Sequence, residues 1–223
     1  MAHTYLVTGA SRGLGAEFVR QLRDAGHDVI AAVRDPERAR DAAGAGARVV
    51  SLDVTQPETF DAFASALATP VDVLVNNAGI AAGDTSLASL SADAFEDVFR
   101  TNVFGLALLT RALLPLLRRG GRRTIVNISS SLGSMANTQR FSYAYCASKA
   151  ALNMLTVQMH KELAKDGFTV VSLDPGWNRT DMGGSQAALD PRDTVRSMVG
   201  LMDRLGRDDS GRFHGYDGDI RPW

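Results

Sequence analysis

Short apolar runs alternate with longer amphipathic stretches along most of the chain. The apolar runs are rich in β-branched residues and are almost uninterrupted by polar ones, which is typical of strands buried on both faces of a sheet. The pattern predicts six such strands, at residues 5–8, 28–33, 48–52, 71–75, 124–128 and 168–173. A last short strand or turn is predicted near residues 212–216.

Helical periodicity fills the gaps between these strands. Helices are predicted at residues 13–25, 36–43, 57–68, 92–118 and 143–165, with another at about 191–205. Strict alternation of strand and helix favours right-handed crossovers and a parallel sheet with helices on both faces. We therefore expect a single α/β domain over residues 1–223, built on a doubly wound, Rossmann-type parallel sheet of about seven strands. Its ligand site should lie at the carboxyl ends of the strands, near the switch in strand order.

Composition narrows the classes of function. With 45% hydrophobic residues, the chain of 223 residues can bury a full core. A formal net charge of −1, without long blocks of like charge, argues against nucleic acid or a membrane surface as partner, because both require a basic excess. The four histidines are scattered without metal-ligand spacing, so no metal site is expected.

Cysteine content and hydropathy bear on the cellular compartment in which the protein is expected. Cys146 is the only cysteine, which precludes an intrachain disulfide and fits a reducing compartment. The start of the chain lacks the basic segment and long apolar run of a secretory signal. The most apolar run, residues 106–117, contains Arg111 and Pro115 and is too short to span a bilayer. We expect a soluble cytoplasmic protein.

A glycine-rich turn follows the first predicted strand and opens the first helix. Its glycines are spaced G-x-x-x-G-x-G, which allows a tight turn and close approach of the backbone to a pyrophosphate at the helix N-terminus. Glycines also serve plain tight turns, but this position in the first βα unit favours dinucleotide binding. The candidate cofactor-binding residues here are Gly9, Ser11, Arg12, Gly13, Leu14 and Gly15.

The end of the second strand bears on the choice of cofactor. An acidic residue that binds the ribose diol of NAD would be expected here, but Val33 and Arg34 occupy this place. Arg12 and Arg34 could together clamp the 2′-phosphate that NADP has and NAD lacks. Asp35 could instead pair with Arg34 as a surface ion pair. The sequence predicts NADP(H) in preference to NAD(H).

Polar residues also follow the next three strands. Asp53 and Val54 end the third strand, and residues 76–79, Asn-Asn-Ala-Gly, end the fourth. These groups could contact the adenine or stabilise the strand ends. The serines at 129–131 follow the fifth strand, where a hydroxyl could bind a substrate oxygen, although serine at a strand end is often only a turn former.

Tyr145 and Lys149 are four residues apart in a predicted helix and therefore share one face. A free tyrosine titrates at about 10, and an adjacent ammonium would lower its pKa toward the range of an efficient proton donor. The same spacing also occurs where a half-buried ring merely lies beside a solvated lysine. Tyr143 is a second phenol, but it lies six residues before Lys149 and on another face.

The segment 174–188 is rich in Gly, Pro and small polar residues. Loops of this length are more often functional or disordered than neutral, which favours a mobile lid over a long surface loop. Trp177 in this segment could line a substrate pocket or cover a nicotinamide.

Taken in order, these motifs resemble those of the short-chain dehydrogenase/reductase family over essentially the full chain. The resemblance rests on the glycine loop, Asn76-Asn77-Ala78-Gly79, the serine group, Tyr145-x-x-x-Lys149 and Asp174-Pro175-Gly176. Finer features are similar to the branch of C-factor and Sniffer-like carbonyl reductases. These are residues 143–145, 149–153, 175–177 and 180–184, the Tyr-Asp-Gly at 216–218 and the terminal Pro222-Trp223.

The resemblance implies a catalytic tetrad. Asn102 would support a water and proton relay, and Ser130 would polarise the substrate carbonyl. Tyr145 would be the acid/base, while Lys149 would bind the nicotinamide ribose and lower the pKa of the tyrosine. The family commonly has 12 residues between serine and tyrosine, whereas 14 separate Ser130 from Tyr145. Ser131 is therefore the alternative serine.

The resemblance also implies further cofactor contacts. Asn178 stands where the family usually has a small aliphatic residue whose backbone meets the carboxamide. The implied contacts are Asp53, Val54, Asn77, Ala78, Gly79, Tyr145, Lys149, Pro175, Gly176, Asn178 and Thr180.

Two functions follow as hypotheses. The first is hydride transfer between NADP(H) and a small-molecule ketone, aldehyde or secondary alcohol, in a homodimer or homotetramer of the kind common in the family. The second is a nucleotide-binding regulatory or signalling protein of C-factor type with little or no turnover. The complete tetrad favours the enzyme, because a sensor does not need an acid/base pair.

Overall fold

A computed structural model describes residues 1–39, 44–137 and 139–223. Its seven strands among these residues form one parallel sheet in the order β3-β2-β1-β4-β5-β6-β7. The predicted doubly wound sheet is confirmed, with its switch in strand order between β1 and β4. The strands are β1 (Thr4–Thr8), β2 (Asp28–Val33), β3 (Arg48–Ser51), β4 (Val73–Asn76), β5 (Thr124–Ile128), β6 (Thr169–Asp174) and β7 (Phe213–Gly215).

The helices follow the predicted pattern with two differences. They are α1 (Gly13–Asp24), α2 (Phe60–Leu67), α3 (Ala92–Phe99), α4 (Leu106–Arg119), α5 (Tyr143–Leu163) and α6 (Pro191–Arg204). The single helix predicted at 92–118 is divided, because a π-helical segment, Arg100–Gly105, joins α3 to α4. Of the helix predicted at 36–43, Pro36–Arg38 forms a 3-10 turn, and residues 40–43 lie outside the described residues.

Two apolar layers cover the faces of the sheet. On one face, α1 and α6 pack through side chains such as Phe18, Leu22 and Met198. On the other face, α2, α4 and α5 bury residues such as Phe60 and Leu113. Because both faces are covered, the strands can be almost wholly apolar, as their sequences predicted.

The strand register brings the chemically distinctive residues to one edge of the sheet. Asn76 at the end of β4 pairs with Asn127 in β5, and Ile128 pairs with Leu173 in β6. The loops that follow β1, β4, β5 and β6 therefore emerge side by side. Within the part of the chain that the structure describes, no helix combines the length and apolarity needed to cross a membrane.

Candidate active site

The glycine turn after β1 is packed directly against the turn after β4. Gly9 and Gly13 have φ values of 63° and 56°, which favour glycine, and a Cβ on Gly9 would lie 2.9 Å from the Ala78 Cα. Asn77 Nδ2 donates to the Thr8 carbonyl at 2.9 Å, and Thr8 Oγ1 accepts from the Asn77 and Ala78 amides at 3.0 Å each. The two turns therefore form one rigid surface.

The N-terminus of α1 has the properties of an anion site. Arg12 precedes it in extended conformation, and within this described helix no side chain caps the N-terminus and no acidic residue lies in the first turn. A Cβ on Gly15 would lie 2.2 Å from the Gly9 carbonyl oxygen, so this turn is compact only with glycine. Uncapped amides and the positive end of a helix dipole fit a pyrophosphate group.

Arg12 is engaged by a carboxylate that the sequence analysis did not identify. Its Nη1 lies 2.9 Å from Asp181 Oδ2, and each side chain is 74% exposed. Arg34 follows β2 and is exposed. Asp35 Oδ1 accepts from the Glu37 amide at 3.1 Å and so caps the short turn that follows.

Asp53 and Val54 lie at the end of β3. Asp53 Oδ1 accepts from the Thr55 amide at 2.9 Å and from its hydroxyl at 2.7 Å, so the carboxylate stabilises its own turn. Val54 is buried, and its carbonyl would be 2.1 Å from a Cβ on Gly105. This backbone therefore packs closely against Gly105, the last residue of the π-helical segment.

Asn102 lies within the π-helical segment and is fully buried. Its Oδ1 accepts from the Ile80 amide at 2.8 Å, and its Nδ2 donates to the Ile80 carbonyl at 2.9 Å and to Ser148 Oγ at 3.0 Å. A Cβ on Gly79 would lie 3.4 Å from Asn102 Oδ1 and 3.6 Å from Lys149 Nζ. The amide thus connects the turn after β4 to α5, and the widened helix turn is of a kind frequent at functional sites.

Ser130, Tyr145 and Lys149 converge beyond the end of β5. The Ser130 hydroxyl lies near the Tyr145 phenol and acts on its pKa as a hydrogen-bonding neighbour. Lys149 Nζ donates to the Ile128 carbonyl at 2.8 Å and lies 5.5 Å from the centroid of the Tyr145 ring. Ser131 contributes its backbone amide to Asp174 Oδ1 at 3.0 Å.

The pKa values of this group differ from the sequence prediction. Burial raises the pKa of Tyr145 to about 12, and Ser130, as a hydrogen-bonding neighbour, offsets only part of that effect. Burial also lowers the pKa of Lys149 to about 8. The predicted lowering of the pKa of Tyr145 by Lys149 was therefore wrong for this arrangement, because desolvation of the phenolate is the largest effect and the ammonium lies beside the ring.

Asp174 joins the turns after β5 and β6. Besides the Ser131 amide, Oδ1 accepts from the Gly176 amide at 3.1 Å. Burial is the main cause of the raised pKa of Asp174, and Arg221, with Nε 3.8 Å away, acts in the opposite direction. The C-terminal segment therefore contributes a cation beneath the site.

The segment 174–188 rests on the glycine turn. A Cβ on Gly13 would lie 3.5 Å from Thr180 Cγ2. Asn178 Nδ2 donates to the Pro175 carbonyl at 2.7 Å and to the Gly176 carbonyl at 3.2 Å, so its amide folds back onto its own turn. Trp177 is 58% exposed, and its indole donates to the Gly183 carbonyl at 2.8 Å.

The start of α5 depends on Asp84, a residue that the sequence analysis missed. Its carboxylate, 3% exposed, accepts from the Ser142 hydroxyl and from the Ala144 amide at 2.9 Å. Ser142 Oγ in turn accepts from the Tyr145 amide at 3.1 Å. The helix-capping position of Ser142 is visible in the sequence, but its partner 58 residues earlier is not.

The described residues, 1–39, 44–137 and 139–223, contain no group of three or more His, Cys, Asp or Glu side chains that could hold a metal ion. The chemistry available at this edge of the sheet is therefore that of a phenol, hydroxyls, an amine and an amide beside an anion-binding turn.

Comparison with known proteins agrees with this geometry. The sequence profile of the family described as short chain dehydrogenase matches residues 3–190. The chain is 44% identical over 169 residues to C-signal of Myxococcus xanthus, covering 73% of this chain and 99% of that protein. It is 34% identical over 229 residues to 1-hydroxy-2-glutathionyl-2-methyl-3-butene dehydrogenase of Rhodococcus sp. strain AD45, with 99% of each protein covered.

Two solved structures are also similar over their full length. The carbonyl reductase Sniffer of D. melanogaster has a TM-score of 0.95 at 31% identity, with 100% of both chains covered. The NADPH-bound carbonyl reductase from chicken fatty liver has a TM-score of 0.93 at 31% identity, covering 100% of this chain and 99% of that one.

Proposed function

The chain belongs to the short-chain dehydrogenase/reductase family, as its sequence predicted, and from that premise we propose that it is an NADP(H)-dependent carbonyl reductase or alcohol dehydrogenase. It would transfer a hydride between the nicotinamide and a ketone, an aldehyde or a secondary alcohol. The observation that carries this proposal is the convergence of the Tyr145 phenol with Ser130 and Lys149 on the same sheet edge as the glycine turn.

The glycine turn and its neighbours would hold the dinucleotide. Gly9, Ser11, Gly13, Leu14 and Gly15 would surround the pyrophosphate, with the amides at the start of α1 meeting its charge. Arg12 and Arg34 would bind the 2′-phosphate, which makes NADP(H) the preferred cofactor. The bound nicotinamide would supply or accept the hydride.

The other cofactor contacts come from the turns beyond the remaining strands. Asp53 and Val54 would flank the adenine. Lys149 would bind the nicotinamide ribose. The rest of the cofactor surface would be formed by Asn77, Ala78, Gly79, Tyr145, Pro175, Gly176, Asn178 and Thr180.

Tyr145 would manage the proton. With a pKa of about 12 the phenol is in its protonated, donor form near neutral pH. Its Oη would donate a proton to the substrate oxygen as the alcohol forms, while Ser130 Oγ holds that oxygen. The position of the Ser130 hydroxyl near the phenol supports Ser130 over Ser131 for this role.

Lys149 and Asn102 would help to return a proton to Tyr145 after each turnover. The Lys149 Nζ, 5.5 Å from the centroid of the Tyr145 ring, would lie beside the phenolate that remains after transfer. Asn102 supports the turn at Ile80 next to Lys149, and from there it would orient a proton relay to solvent.

A purified-protein assay tests this proposal. We expect a panel of reactive ketones and aldehydes to oxidise NADPH, and Tyr145→Phe to lower kcat by roughly 10²- to 10⁴-fold, because the proton donor is lost. NADPH affinity, measured by fluorescence titration, should be unchanged. Tyr143→Phe is the matched control, since that phenol is exposed on another face of α5, and it should keep normal turnover.

Two results would contradict the proposal. Normal turnover by Tyr145→Phe would refute the assigned proton donor. Tight NADPH binding by the wild type without turnover across the panel would favour the second hypothesis, a nucleotide-binding signalling protein. The 44% identity to C-signal is the observation that keeps this second hypothesis open.

A further inference from the structure

The site combines side chains from two elements that are separated along the chain. Ser130 lies in the turn after β5, whereas Tyr145 and Lys149 lie on α5. The distance between the hydroxyl and the phenol is therefore decided by whatever attaches that turn to the helix. Proton transfer is sensitive to displacements of about 1 Å, so this attachment matters for turnover.

Asn153 provides such an attachment. It lies four residues after Lys149 and eight after Tyr145, so the three side chains follow one stripe along α5. Asn153 is 4% exposed, and none of the roles proposed above involves it.

The amide of Asn153 binds both ends of the turn that carries Ser130. Ser129 Oγ donates to Asn153 Oδ1 at 2.6 Å, and Asn153 Nδ2 donates to the Gly133 carbonyl at 3.3 Å. Ser129 directly precedes Ser130, and Gly133 follows it by three residues. One side chain thus fixes the turn on both sides of the hydroxyl.

Close packing supports this attachment. A Cβ on Gly133 would lie 2.6 Å from the Lys149 carbonyl carbon and 2.7 Å from the Lys149 Cβ. Ser129 Oγ also lies 3.4 Å from the Lys149 carbonyl oxygen. The turn therefore touches the backbone of α5 at the residue between Tyr145 and Asn153 on the stripe.

We propose that Asn153 is a positioning residue that holds the Ser130 hydroxyl at the Tyr145 phenol. The proposal rests on the proposed function for its kinetic consequence. Losing the amide would remove one hydrogen bond at each end of the turn and let Ser130 shift relative to Tyr145, while leaving the glycine turn and its cofactor contacts intact.

A double-mutant cycle with Ser130 tests the proposal. Asn153→Ala should lower kcat by roughly tenfold to a hundredfold in the otherwise wild-type protein. In the Ser130→Ala background the same change should lower kcat by less than about twofold, because the group that it positions is already absent. KM for NADPH should stay constant in all four proteins. Equal losses in both backgrounds, or no loss in the wild type, would overturn the proposal.

Thr156→Val is the matched control for buried polar substitutions in α5. Thr156 is fully buried and accepts from Asn127 Nδ2 and Ser172 Oγ at 2.9 Å each, but these contacts do not involve the Ser130 turn. It should lower thermal stability and leave kcat within about twofold of wild type, because its hydrogen bonds do not reach the Ser130 turn. A loss of kcat equal to that of Asn153→Ala would show that the effect is general destabilisation and would overturn the proposal.

A structural readout separates this proposal from the proposed function. If the wild type turns over no carbonyl, the enzyme hypothesis fails, and crystal structures of wild type and Asn153→Ala decide on the positioning role. The expected result is a Ser130 hydroxyl displaced from the Tyr145 phenol in Asn153→Ala. An unmoved hydroxyl would overturn it.

Discussion

The proposed cofactor side and the proposed proton-transfer side of this site are held together by different physical means. On the cofactor side, Arg12 pairs with Asp181 in solvent, and each is 74% exposed. On the proton-transfer side, Asn102, Lys149 and Asn153 are only 0%, 3% and 4% exposed. Asn102 accepts from the Ile80 amide, Lys149 donates to the Ile128 carbonyl, and Asn153 accepts from the Ser129 hydroxyl. Solvent screens the exposed ion pair. The three buried side chains are shielded from water, so a polar group left there without a hydrogen-bond partner lowers the stability of the folded protein.

This difference indicates which residues can be substituted with little loss of folding stability. Exposed charges around the glycine turn can be altered with small effects on folding. Substitutions among the buried groups around α5 should instead affect stability and turnover together. The following predictions test that contrast, from the largest expected effect to the smallest.

Burial of the Lys149 ammonium should lower the free energy of unfolding. Burial lowers its pKa from 10.5 to about 8, which corresponds to roughly 3 kcal/mol of destabilisation at neutral pH. The unfolded chain binds the proton more tightly, so the free energy of unfolding should fall as pH drops from 10.5 to about 8 and stay constant below. Lys149→Met should therefore raise the thermal midpoint at neutral pH and, under the proposed function, abolish turnover.

Lys161→Met is the control for this substitution, because Lys161 is exposed in the last turn of the same helix. It should leave both the midpoint and the turnover unchanged. A Lys149→Met protein less stable than wild type near neutral pH would show that the hydrogen bond to Ile128 outweighs the desolvation of the ammonium.

Asp84 should stabilise the start of α5. Asp84→Ala removes the acceptor of the Ser142 hydroxyl and the Ala144 amide, and should cost about 2–3 kcal/mol in denaturant unfolding, because these bonds are charge-assisted and buried. It should also lower kcat, since the Tyr145 amide is bonded to Ser142.

Ser91→Ala gives the matched comparison, since Ser91 caps α3 at the surface by accepting from the Ala94 amide at 3.1 Å. It should cost about 1 kcal/mol and leave kcat unchanged. If the two substitutions have equal effects on stability and on turnover, the contrast between buried and exposed polar groups does not extend to helix caps.

Substitution of Asp181 should have the smallest effect on folding stability. Its exposed pair with Arg12 contributes roughly 0–1 kcal/mol, so Asp181→Asn should scarcely change the unfolding midpoint. Under the proposed function, releasing Arg12 should increase affinity for NADPH over NADH by about threefold, with the preference greatest at low salt.

Asp193→Asn serves as the control, because Asp193 pairs with Arg196 at a similarly exposed position on α6. It should change neither stability nor the ratio of the two cofactor affinities. A weaker preference for NADPH in Asp181→Asn would mean that the pair with Arg12 supports cofactor binding instead of competing with it.

The outline of the fold and the main motifs could be predicted because they depend on local periodicity. The six longer strands follow from short, nearly uninterrupted apolar runs, and the helices between them follow from a repeat of about 3.6 residues. The π-helical segment at Asn102 could not be predicted, because its residues read as continuous helix. It forms where Gly105 packs against the Val54 carbonyl, a contact between distant parts of the chain.

The sequence by itself determined that Tyr145 and Lys149 share a helix face and that the glycine turn precedes α1, since both relations lie within a few residues of chain. Only the tertiary structure decided which groups surround them. Asp84, Asp181 and the turn bound by Asn153 reach the site across 58, 169 and 24 residues of sequence. The direction of the Tyr145 pKa shift was decided in the same way, because desolvation depends on everything packed around the ring.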